Sequence, residues 1–369
     1  MEPALGDGPE ISFSIGAQAA GTKGLINPTS STDPGLAVQG TQLRVFDILT
    51  NFIGTVGDQT STADNMIPIT YIDGTLQYVN TTAGVLNEDY WKFVDEGKPE
   101  YYRWTKTGLH KFFGYLTKDP EGNPSPVTVN MGTDQKLAIS SFEMTPAKTQ
   151  FDFLFSNIHK RDMAGTYDPA SAKYAYVPLE MRHLFTALAV NIVNKTVSPI
   201  TIQSISFLGV HPTQSAEIDW SESETNKTYP FVTYTPGAAA ELVLNTEAVT
   251  VGAASSADAN SSTTKALFTG TEGKPNSYYR LLWPQSGLDG EGVALQVKFS
   301  DNEIVTKPLA GVFKKNNVVT NEMSPGYKYL LEITITAEDL KFKVILVDPL
   351  DEHYYNGMNG DHSDYLIKF

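Results

Sequence analysis

The stretches YKYLLEITI at 327–335 and LKFKVIL at 340–346 decide the fold. In the first, Tyr327, Tyr329, Leu331, Ile333 and Ile335 fall on one side of an extended chain, with Lys328, Leu330, Glu332 and Thr334 on the other. In the second, Leu340, Phe342, Val344 and Leu346 alternate with Lys341, Lys343 and Ile345. Successive side chains of a strand point to opposite faces, so each stretch is a strand with one buried face, the signature of antiparallel sheets packed as a sandwich. VALQVKF at 293–299 repeats the pattern, with Val293, Leu295, Val297 and Phe299 on one face. Working outward, strands are predicted at 42–49, 67–72, 110–117, 126–131, 151–155 and 278–283. In 200–207 the apolar phase slips between Ile202 and Ile205, which predicts a bulge. The segment 183–193 alternates like a strand, yet Leu184, Leu188 and Ile192 also sit at helical spacing; the β-branched residues at its end favour a strand.

Composition agrees with an all-β chain. Gly 29 and Pro 21 punctuate turns, while Tyr 18 and Phe 18 suit pleated surfaces. A length of 369 residues exceeds what one core usually serves, and the soft, proline-containing stretch at 163–180 suggests a division into domains 1–176 and 177–369. A second soft stretch, GAASSADANSSTTK at 252–265, reads as a surface loop. The net charge of −15, with no run of Lys or Arg, argues against nucleic acid and against anchoring through anionic lipid. The absence of cysteine excludes disulfides and thiolate chemistry. No apolar stretch approaches the roughly 20 residues that span a bilayer. Met1 to Pro9 lacks a basic segment followed by an apolar one, so the chain is expected to be either cytosolic or the trimmed form of an exported protein.

Chemistry-bearing residues are sparse. The six histidines show neither H-x-x-x-H nor HExxH spacing. His353 and His362 with Asp351, Glu352, Asp361 and Asp364 could hold a metal, but solvated loop charges explain them better. Asp219, Glu222 and Glu224 around Trp220 could mimic a sugar site; the plainer reading makes Trp220 a core residue. Trp91, Trp104, Trp220 and Trp283 are the only tryptophans that could form a stacking platform. The N-x-S/T triplets at Asn80, Asn194, Asn226 and Asn260 are expected by chance. No catalytic residue, metal or cofactor is expected, and the chain reads as a non-enzyme.

The two ends stand out. ISFSIG at 11–16 places Ile11, Phe13 and Ile15 on one side, and the small-residue run after it carries a single cation, Lys23. It is either an ordinary first strand or a removable one, since a trypsin-like protease could cut the Lys23–Gly24 bond in such a run. DYLIKF at 364–369 puts Tyr365, Ile367 and Phe369 on one face, either as the last strand of its own domain or as a strand for donation to another chain.

Several segments resemble the fimbrillin family, the lipoprotein-derived pilins of Bacteroidales. They are, in chain order, VQGTQLRVFD (38–47), YYRWTKTGLHKFFGYLTKD (101–119), MRHLFTALAVNIVNKTVSPITIQSISFLGV (181–210), YYRLLWPQ (278–285) and SPGYKYLLEITI (324–335). The resemblance implies an exported lipoprotein of two transthyretin-like β-sandwich domains. It also implies a surface protease that cuts after Arg or Lys behind the first strand, and a neighbouring subunit that fills the groove so opened. The matching positions are Ile11–Gly16 and Lys23–Gly24, with Lys where the family often has Arg and without the lipid-bearing cysteine. The implied partners are other fimbrial subunits, the processing protease, and ligands on host or bacterial surfaces; the implied place is the outer-membrane surface. The alternative is a surface glycan-binding β-sandwich lipoprotein.

Overall fold

The computed structural model describes residues 8–17, 39–52, 54–56, 59–62, 68–79, 90–105, 107–119, 122, 124–143, 151–163, 176–221, 230–245, 247–256, 261–268, 279–315, 318–337 and 339–349. Among these residues there are 26 strands and no helix. They are β1 (Phe13–Ala17), β2 (Gln42–Thr50), β3 (Gly54–Val56), β4 (Gln59–Ser61), β5 (Ile69–Val79), β6 (Tyr90–Phe93), β7 (Leu109–Lys118), β8 (Val129–Met131), β9 (Lys136–Glu143), β10 (Leu154–Ser156), β11 (His159–Asp162), β12 (Val177–His183) and β13 (Thr186–Asn194). There follow β14 (Ile200–Val210), β15 (Thr213–Asp219), β16 (Phe231–Pro236), β17 (Ala240–Val243), β18 (Val249–Val251), β19 (Thr263–Ala266), β20 (Arg280–Leu282), β21 (Ala294–Phe299), β22 (Ile304–Pro308), β23 (Lys314–Lys315), β24 (Val318–Val319), β25 (Tyr327–Ile335) and β26 (Leu340–Pro349). The chain divides into two units: Met1–Leu137, Phe153–Arg182 and Ile218–Val232 form the first; Ala138–Asp152, His183–Glu217 and Thr233–Phe369 form the second.

The first unit is built on an eight-stranded sheet in the order β1-β12-β10-β7-β2-β5-β6, with β11 also paired to β7. Strand β2 lies near its middle, antiparallel to both β5 and β7. Phe46 faces Phe113 across the β2–β7 ladder, the rings stacked at 5.3 Å. Gly114 allows that ladder to close, because a Cβ there would stand 2.5 Å from the Arg44 carbonyl oxygen. Leu43, Val45, Leu49, Leu76, Phe112 and Leu116 are fully buried and fill the core of this unit.

The second unit contains two five-stranded sheets, β19-β13-β25-β26 with β20 on β13, and β17-β14-β21-β22 with β18 on β14. Their inner faces share one core: Leu188, Val190 and Ile192 of β13 and Leu331 and Ile333 of β25 belong to the same buried cluster as Ile202, Ile205 and Phe207 of β14 and Leu295 and Val297 of β21. This is the face-to-face sandwich that period-two alternation demands. β25 and β26 form one hairpin, β21 and β22 another, while β13 runs parallel to β25.

Of the stretch 183–193, His183 closes β12, Leu184 and Phe185 bend, and 186–193 is extended in β13, where the β-branched positions and the burial of Leu188 and Ile192 outweigh the helical spacing. The slip in 200–207 is a register shift between Ile202 and Ser204 on β21. The stretch 252–265 is not wholly a loop: Thr263, Thr264 and Lys265 belong to β19 and pair with β13. Strand β12 belongs to the first unit's sheet, next to β1.

Candidate functional site

The N-terminal segment is clamped in two steps within the first unit. Residues 8–11 first run against 102–104: Gly8 N–H donates to Trp104 O (2.9 Å), Trp104 N–H to Pro9 O (3.0 Å) and Ile11 N–H to Tyr102 O (2.8 Å). Arg103 pairs with Glu10 at 3.3 Å and also donates to Gly8 O at 3.3 Å. No side chain fits at Gly8, since a Cβ would lie 2.6 Å from Trp104 O. The chain then turns into β1, which lies parallel to β12 with Phe13 beside Val177, Ile15 beside Leu179 and Ala17 beside Met181. The expected strand 11–16 is thus a ladder over 13–17, preceded by a separate bridge.

Among the described residues β1 ends the sheet order, with β12 as its ladder partner. Its apolar face is fully used: Ile11, Phe13 and Ile15 are 2%, 6% and 3% exposed. The Phe13 ring meets Phe93 and Phe112 edge-on, each at 6.0 Å. Burying three such side chains contributes roughly 5–9 kcal/mol before ordering costs, at about 1.5–3 kcal/mol each. Taking residues 8–17 away would uncover Phe93 and Phe112 and strip one edge of β12. An unpaired edge beside an apolar trough is a template for another strand.

Lys23, Gly24, Tyr365, Ile367 and Phe369 lie outside the described residues, as do His353, His362, Asp351, Glu352, Asp361, Asp364, Glu222, Glu224, Asn80, Asn226 and Asn260. Trp220 is no sugar platform. It is fully buried, stacks on Phe113 at 5.1 Å and donates its indole N–H to Ser156 O at 3.0 Å. Trp104 and Trp283 are buried too, and Trp91 is half-buried with its ring against Tyr78 at 5.3 Å. Asn194 is also buried; its amide donates to Ser198 O and Gly252 O, which leaves no room for a glycan.

One constellation has no sequence signal. His110 Nδ1 lies 2.5 Å from Asp47 Oδ2, and its Nε2 lies 2.8 Å from Thr105 Oγ1. The connectivity is that of an acid–base–hydroxyl relay. However, the Thr105 hydroxyl donates its proton to Thr107 O at 2.7 Å, and the histidine is sealed among Trp104, Phe112 and Tyr71. A hydroxyl committed to a carbonyl and cut off from solvent is no nucleophile. The group is a structural tie between β2, β7 and the segment just before β7, with Asp47 Oδ1 also accepting the Lys111 N–H at 3.0 Å. A second buried pair joins His183 Nδ1 and Asp152 Oδ2 at 2.6 Å. Among the described residues there is no group of three or more potential metal ligands.

No protein-family profile and no curated protein matches the chain. Solved structures do. The chain is similar to cell adhesion and fimbrial proteins of Bacteroidales. A protein assigned to cell adhesion from Bacteroides uniformis is 11% identical, with 92% of this chain and 97% of that one covered at a TM-score of 0.48. A fimbrial protein from Bacteroides vulgatus is 15% identical, with 93% and 100% covered at 0.45. The tip fimbrial protein Mfa3 from Porphyromonas gingivalis is 9% identical, with 92% and 100% covered at 0.35. At these values the likeness does not extend to function.

Proposed function

We propose that this protein is a structural subunit of a surface fimbrium, kept monomeric by its own N-terminal strand and joined to its neighbours once that strand is cut away. The observation that carries the reading is β1 with the segment just before it: a five-residue strand that, among the described residues, ends its sheet beside β12, with Phe13 and Ile15 buried, and Ile11 ahead of it buried as well. Such a strand is ordered in the intact chain and separable from it by one cut. The cut falls at Lys23–Gly24, the single basic position in the run of small residues behind it. The replacement is an extended segment of another subunit with the same alternation, and Tyr365, Ile367 and Phe369 supply one. Export as a lipoprotein and display at the outer-membrane surface belong to the same reading. The chemistry of assembly is the protease's, and the chain needs only an edge and a donor.

Limited digestion with a trypsin-like protease, followed by N-terminal sequencing and size-exclusion chromatography, tests this. The product should begin at Gly24 and form ladders of oligomers, while Lys23→Ala should stay full-length and monomeric. Deleting residues 364–369 should leave cleavage intact and stop the ladders. A Lys23–Gly24 bond that survives while other bonds are cut, or a trimmed product that stays monomeric at high concentration, refutes the proposal.

A further inference from the structure

At one end of the second unit three turns meet: 195–199 between β13 and β14, 300–303 between β21 and β22, and 336–339 between β25 and β26. Together with the adjoining strand ends they line an open cleft of about 480 Å³, within the usual size range of ligand pockets. Its floor is apolar: Phe299, Ile335 and Leu340 close it from three strand ends. Its rim is acidic, with Asp301, Glu303 and Asp339, and it holds one cation, Lys307.

The rim is set before any ligand arrives. Thr336 Oγ1 donates to Asp339 O (2.9 Å) and accepts the Asp339 N–H (3.0 Å). Asp301 Oδ1 accepts the Glu303 N–H at 3.0 Å. Lys307 Nζ reaches from β22 to Asp339 Oδ1 at 2.9 Å, and the Leu340 N–H donates to the same oxygen at 2.8 Å. The bonds from Lys307 and from the Leu340 amide hold the Asp339 carboxyl below its usual range, so it stays an acceptor. Beside this rim Val197, 62% exposed, stands on the turn that also supplies Thr196 and Pro199 to the cleft.

A cleft with an apolar floor and an acceptor-rich rim suits a ligand with one C–H face and several O–H or N–H donors at its edge. A sugar ring has that form. Two carboxylates beyond the Lys307–Asp339 pair repel acidic sugars. We infer that this cleft is a saccharide-binding site selective for uncharged or amino-bearing rings.

The test is calorimetric titration of the intact protein with N-acetylglucosamine trimer, glucosamine trimer, galacturonic acid trimer and a lysine-rich peptide. At least one of the first two should bind, and the acidic trimer should not. The double variant Asp301→Ala with Glu303→Ala, which changes only exposed side chains, should weaken binding by about tenfold or more, the worth of one charge-assisted hydrogen bond. Ile335→Ala tests the floor; Asp134→Ala, an exposed acid of the first unit, is the control that should bind as the parent does. Absence of saccharide binding, binding that the double variant leaves unchanged, or preference for the acidic trimer or the peptide overturns the inference. Strand removal and subunit exchange play no part in this assay, so its outcome is independent of the fimbrial reading.

Discussion

Phe13→Ala is the sharpest probe of the N-terminal strand. The ring is 6% exposed and packs edge-on against Phe93 and Phe112. Truncating a buried Phe to Ala costs about 3–5 kcal/mol, part of it from the cavity left behind. In a central strand that loss would be charged to the whole domain. In β1, which among the described residues ends its sheet beside β12, the cheapest response is for residues 8–17 to detach while the β2–β5–β7 ladders hold. Each 1.4 kcal/mol is a factor of ten, so amide protection at the β1–β12 ladder should fall by about two decades or more. Protection along β2 and β7, and throughout the second unit, should change little. Hydrogen exchange read by mass spectrometry resolves these segments, and trypsin should cut behind the strand faster in the variant. Equal loss of protection along β1, β2 and β7, together with a single cooperative drop in stability, would refute the reasoning: the strand would then be integral to its sheet. Unchanged protection at β1 would refute it too.

Gly8→Ala should loosen the same segment from its other end, because its Cβ meets the Trp104 backbone oxygen at 2.6 Å; faster tryptic release of the N-terminus checks this. Asp47→Asn breaks a fully buried pair and should cost about 3–5 kcal/mol in urea unfolding, whereas changing Asp47 and His110 together to apolar residues should cost less than the sum of the single changes. Burial first, and then the neighbouring Arg161 guanidinium, push His159 from 6.5 down to about 4. The unfolded chain therefore binds the proton first, and stability should decline as pH falls from about 6.5 to about 4. His159→Gln should flatten that part of a melting-temperature profile. Trp220→Ala should destabilise by about 3–5 kcal/mol while leaving saccharide titrations unchanged.

What could be read from the chain alone was whatever lies within one strand. The alternation of 327–335, the slip near Ile202 and the common face of Ile11, Phe13 and Ile15 are local, and each has its counterpart in a strand, a register shift and a buried face. What could not be read was pairing. β1 finds β12 more than 150 residues away, in a parallel register that no turn dictates. Asp47, Thr105 and His110 meet only because β2 and β7 are neighbours in the sheet. Trp220 is the core residue that the plainer reading made it, but Phe113, the ring it lies upon, is more than 100 residues away and invisible along the chain. The cleft at the end of the second unit was invisible for the same reason: its lining comes from three turns and the strand ends beside them, which lie far apart in sequence.

The direction in which β1 lies has a bearing on reversibility. Parallel ladders carry slanted hydrogen bonds and hold slightly less firmly per residue than antiparallel ones. β1 runs parallel to β12, so the tenant that folds with the sheet occupies the poorer of two orientations. A newcomer entering head-to-tail would gain the straighter bonds in the same space. In the strand exchange proposed above, that small difference per residue would favour such a newcomer and resist its loss.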